Sequence, residues 1–128
     1  MGIINKFVNV STMKLKKDIK YKINYIFDVL KKNDIKVLDV SFSGGGDQGH
    51  MEIDGYDGPD HVCFDEPTIF QDDLEDLIFD VAVHILDKRG IDYANGFGNE
   101  GNVYFEVEKK QISMNYLVTT DECYSFNV

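Results

Sequence analysis

His50, Glu52 and Asp54 recur at every second position. In an extended strand that spacing projects all three side chains from one face. Asp47 stands just before them, and Asp57, Asp60, His61 and Asp65 follow closely. An imidazole among carboxylates suits a divalent cation, which activates water or organises a phosphate. One reading is therefore a metal-dependent hydrolase that uses Asp47, His50, Glu52 and Asp54 as ligands. It stands second, because the Asp47–Asp57 stretch lacks calcium-loop spacing and no H-E-x-x-H or paired-cysteine motif occurs. Outward acidic residues on a strand more commonly form a solvated face.

The residues just before this group carry a different chemistry. Gly44, Gly45 and Gly46 can expose backbone N–H groups to an anion. No Lys-Ser/Thr follows them, and the segment leads into a strand pattern, unlike a phosphate loop or a dinucleotide fingerprint. A hairpin tip or interaction loop fits better, and no cofactor is expected. Cys63 has His61 two positions away, yet between Val62 and Phe64 it reads as an ordinary core residue. Cys123 lies near the C-terminus, and Ser41 and Ser43 have no identifiable base. His84 follows Asp80 by four residues, the spacing of a local helical ion pair. No catalytic residue is assigned, and an enzyme is not the expected class.

The charge is divided along the chain. Residues 1–36 carry nine lysines against three acids, whereas 37–128 carry four basic residues against twenty acids. From Val37 to Asp87 there are fourteen carboxylates and no Lys or Arg. Such a division acts on partners through the field it creates. Acidic strands would repel nucleic acid, and the lysine segment shows no aromatic platform in its pattern, so direct nucleic-acid binding is disfavoured. The expected partner is the basic surface of a protein, such as a nucleic-acid-binding one, with carboxylates standing where phosphates would.

These residues need elements to position them. Leu15, Ile19, Ile23, Ile26 and Leu30 predict a helix over Lys14–Lys32, with Ser11 or Thr12 as its cap. Alternation predicts a hairpin of Ile35–Ser43 and His50–Tyr56 around the glycine tip. Thr68 and Gln71 have capping-box spacing for a second helix, Ile69–Lys88, whose stripe runs through Leu74, Leu77, Ile78, Val81, Ile85 and Leu86. Val103–Glu108 and Gln111–Val118 predict a second hairpin, and residues 121–128 a short edge strand. Gly2–Val10 reads equally as a helical turn or an extended arm. The sum is one α+β domain over residues 1–128, a two-layer sandwich in the order α-β-β-α-β-β. Its mainly antiparallel four-stranded sheet has both helices on one face.

The exposed sheet face then presents Asp39, Glu52, Asp54, Glu106 and Glu108 as interaction residues. Asp47, Tyr56 and Phe97 add rim and anchor contacts. No segment reaches membrane-spanning length, and two cysteines suit a reduced compartment, so a cytoplasmic protein without membrane contact is expected.

Ser43-Gly-Gly-Gly-Asp-Gln-Gly49, followed by His50-Met51-Glu52-Ile53, resembles a recurring hairpin in small uncharacterised proteins of bacteria, phages and plasmids. In general style the chain also resembles phage-encoded anti-defence proteins of the anti-CRISPR type. The resemblance implies an inhibitor of a host defence or nucleic-acid-processing protein. A toxin-neutralising or structural assembly protein is a further alternative.

Overall fold

The computed structural model describes residues 2–9, 14–45, 48–89 and 99–120. Its elements are β1 (Gly2–Asn9), α1 (Lys17–Lys32), β2 (Val37–Gly45), β3 (Gln48–Asp57), α2 (Leu74–Arg89), β4 (Asn99–Glu106) and β5 (Gln111–Thr120). The helix–hairpin–helix–hairpin order is as expected. Gly2–Asn9 resolves the open question at the N-terminus: it is a strand, and it adds a fifth member to the sheet. The strand order is β1-β5-β4-β2-β3, with every neighbouring pair antiparallel. The two hairpins thus meet through β2 and β4, and β1 and β3 form the edges.

Period 2 puts Leu38, Val40 and Phe42 of β2 on the core side, joined by Val103 and Phe105 of β4 and by Ile112, Met114 and Tyr116 of β5. The helices cover that face with Ile26, Phe27 and Leu30 of α1 and with Leu77, Ile78, Val81 and Ile85 of α2. Phe27 meets the Phe105 ring edge-on, 6.1 Å between centroids. Lys22 Nζ donates to Asp80 Oδ2 at 2.9 Å and joins the two helices at their outer rim.

Both helices start later than their sequence patterns suggest. Lys16 is the N-cap of α1 and makes no side-chain cap bond; the expected caps Ser11 and Thr12 lie outside the described residues. For α2 the reason is physical. Thr68 caps a turn rather than the helix: its Oγ1 accepts from the Phe70 N–H, its carbonyl accepts from Gln71, and its N–H donates to Asp72. A bridge between Pro67 and Asp73 closes the turn, so α2 begins at Leu74. At the other end of α1, Asp34 adopts φ 59°. That left-handed residue lets the Ile35 N–H return to the Leu30 carbonyl and ends the helix. The expected edge strand at 121–128 lies outside the described residues. No helix among the described residues is long and apolar enough to cross a membrane.

Candidate interaction face

With both helices on one side, the opposite face of the sheet is uncovered by either. The register places its side chains in rows. Asp39 pairs with Tyr104, Ser41 with Asn102 and Ser43 with Glu100 across β2 and β4. Tyr104 then pairs with Ser113, and Asn102 with Asn115, across β4 and β5. On the other side, Ser41 faces Glu52 and Ser43 faces His50 of β3.

Asp39 has polar neighbours on both adjoining strands, Tyr104 and Asn102 of β4 and Asp54 of β3. Asn102 Nδ2 donates to Asp39 Oδ1 at 2.6 Å. Partial burial pushes the Asp39 carboxyl above its ordinary range, the Asn102 bond opposes that rise, and the neighbouring Asp54 carboxylate adds to it. The Tyr104 hydroxyl is also pushed up, first by burial and then by the Asp39 charge, against a hydrogen bond with Asn115. A shallow groove of about 440 Å³ runs beside this cluster, lined by Ser41, Asp54, Glu100, Asn102 and Asn115. Its donors and acceptors are amides, hydroxyls and carboxylates, which suit polar and cationic groups.

Asp54 reaches Asp39 because the β2–β3 ladder shifts register there. Val40 pairs with Ile53 but Asp39 pairs with Gly55, leaving Asp54 as the extra residue of a bulge on β3. The bulge also corrects one expected contact. It turns Tyr56 to the core side opposite Leu38, where it is half-buried and meets the Phe64 ring at 5.6 Å. Tyr56 is therefore a packing residue and not an anchor on the open face. Glu108 is corrected too. It lies past the end of β4, in the turn to β5, and lines a separate groove with Lys31, Lys36 and Lys110. Glu106, Glu52, Asp54 and Asp39 remain on the open side, as the alternation implied. Asp47 and Phe97 lie outside the described residues. The strand expected at Val103–Glu108 begins four residues earlier, at Asn99, and this brings Asn102 into β4 beside Asp39; the Asn102, Tyr104, Glu106 alternation is its signal in the sequence.

The metal alternative fares differently. His50 Nε2 lies 3.4 Å from Glu52 Oε2, both exposed, whereas Asp54 turns toward Asp39. His50 and Asp54 are separated by four strand steps, about 13 Å of chain, so one ion does not gather both. Among the described residues no group of three or more His, Cys, Asp or Glu could hold a metal ion. Cys63 is exposed, with Val62 and Phe64 half-buried on either side, so it is not the core residue its neighbours suggested. His84 does meet Asp80: Nδ1 is 2.7 Å from the Asp80 carbonyl and 3.5 Å from its carboxylate.

A curated relative, "Regulator of ribonuclease activity B" of Aeromonas hydrophila subsp. hydrophila, is 34% identical over 88 residues, covering 63% of this chain and 73% of the relative. The chain belongs to the regulator of ribonuclease activity B family. No family model matches it, and no solved structure gives a significant match.

Proposed function

We propose that this protein regulates a ribonuclease without catalysing a reaction itself, by docking its open acidic sheet face on a basic surface of the enzyme or of a protein bound to it. The observation that carries the reading is the Asp39–Asp54 juxtaposition, between β2 and the edge strand β3 on the sheet face that neither helix covers. Two carboxylates held together cost stability that a cationic partner relieves. The name of the Aeromonas relative supports a ribonuclease as the regulated protein. Inhibition of a host defence protein would draw on the same chemistry, but the Aeromonas relative's name speaks of ribonuclease activity, so ribonuclease regulation is placed ahead of it.

The test uses purified ribonucleases of the native host and a labelled RNA substrate. Adding the protein should change the cleavage rate of one of them, and association should weaken as salt rises. Glu52→Lys with Asp54→Lys should slow association about ten-fold or more at low salt while leaving the fold intact. Unchanged cleavage by every ribonuclease, or binding indifferent to salt and to the reversals, overturns the reading.

A further inference from the structure

The lysines of α1 lie on the side of the sheet that the helices cover, away from its open acidic face. Lys17, Lys20 and Lys31 are exposed and fall on one stripe of α1 at helical spacing, on its solvent side and flanking the face that buries Ile26, Phe27 and Leu30. Lys31 also lines a groove of about 410 Å³ at the C-terminal end of α1, together with Lys36 and Lys110. Lys110 comes from the β4–β5 turn, so the groove is made by tertiary structure. The stripe from Lys17 to Lys31 is about 21 Å long before the groove extends it. Among the described residues, the ion pairs engage Lys22 but none of these five lysines. Asp28 on the stripe and Asp34 and Glu108 in the groove moderate the charge without reversing it.

Tyr21 adds a second, different kind of group, the exposed ring that the sequence pattern of the lysine segment did not single out and that the fold leaves beside Lys17 and Lys20. Its side chain is 58% exposed, and the other large apolar side chains exposed among the described residues, Ile69 and Val83, carry no ring. Tyr21 shares a hollow on the α1 surface with Leu15, Lys17, Lys20 and Asn24. An exposed ring set between ammonium groups supplies a stacking surface beside phosphate contacts, the combination that holds single strands. A duplex keeps its bases stacked and would leave the ring unused. A helix layer about 10 Å across and the sheet itself lie between the outer side of α1 and the open acidic face, more than the Debye length of about 8 Å at physiological salt. Repulsion from that face is therefore largely screened.

We propose that the outer face of α1 and the groove at its C-terminal end bind single-stranded RNA, with phosphates on Lys17, Lys20, Lys31, Lys36 and Lys110 and a base stacked on Tyr21. The choice of RNA among polyanions rests on the ribonuclease reading above. The protein would then hold a ribonuclease on one face and RNA on the other.

The full-length chain is titrated into a fluorescein-labelled, unstructured RNA of about 16 nucleotides, followed by anisotropy between about 50 and 200 mM salt. Binding should weaken with salt at a log–log slope of about −2 to −3.5, corresponding to three to five phosphates. Lys17→Glu with Lys20→Glu should lower affinity by about ten-fold or more, and Tyr21→Ala by about five-fold or more. Circular dichroism of each variant verifies that α1 is intact. Glu52→Lys with Asp54→Lys should retain RNA binding while losing the ribonuclease, so the two proposals fail separately. No anisotropy change at low salt overturns the RNA site, as does binding that all three α1 substitutions leave unaltered. Sedimentation with phosphatidylserine vesicles in the absence of RNA binding also overturns it.

Discussion

Asn102 donates its side-chain amide to Asp39 across the β2–β4 ladder, between residues 63 positions apart in the chain. The bond offsets part of the cost of holding Asp39 half-buried beside Asp54. It also ties the two hairpins together on their open side, opposite the core.

Removing that amide should be felt in stability. Asn102→Ala leaves the Asp39 carboxylate short of a donor, and a loss of about 1 kcal/mol is expected at neutral pH. Urea denaturation measures it. The loss should shrink in acid, where a protonated Asp39 no longer needs the donor, and a loss equal at both pH values would contradict the role assigned to the bond.

The raised Asp39 carboxyl makes a signed prediction about pH. With a folded pKa above the unfolded 3.8, the native state binds more protons across that window. Stability contributed by this group is present below 3.8 and is lost as pH rises through the folded value. Glu75, raised by burial and then by Asp65, Asp76 and Asp73, acts in the same direction. Asp39→Asn should therefore stabilise the protein at neutral pH and flatten the decline above the usual carboxylate range. Denaturation series from about pH 4 to 7 test this.

Gly101 is required by close approach. A Cβ there would press on the Asn115 carbonyl and lie 2.6 Å from Tyr116 Cα, both on the neighbouring β5. Gly101→Ala should cost about 2–3 kcal/mol, because backbone has to shift. Gly55→Ala is the matched comparison, since nothing lies within 4 Å of its Cβ, and thermal melts should show a much smaller change.

Lys22 and Asp80 bridge the helices from partly exposed positions, so Lys22→Ala should cost only about 0.5–1 kcal/mol. The Lys22 ammonium is held above its ordinary pKa of 10.5, chiefly by its bond to Asp80. Its contribution is present below 10.5 and lost as pH rises through the folded value. Alkaline denaturation of Lys22→Ala should begin no earlier than neutral-pH stability alone predicts, unlike the parent protein, which should lose this extra contribution.

Local periodicity determined much of this protein. The stripe from Ile19 to Leu30, the alternation from Leu38 to Phe42 and that from Val103 to Val107 each depend on which side a side chain leaves its own backbone. Two helices, two hairpins and an acidic open face follow from that, because helical and strand periods are properties of neighbours in sequence. Tertiary structure decided what depends on pairing between distant segments. The bulge at Asp54 reverses the facing of Tyr56, since a one-residue shift moves a strand's side chains to the opposite face. Thr68 bonds within a turn because Pro67 and Asp73 meet. Asn102 finds Asp39, and Lys110 joins Lys31 and Lys36, only once β4 and the turn after it lie beside β2 and α1. A one-dimensional pattern records the direction in which each side chain leaves its backbone; the fold supplies its neighbour.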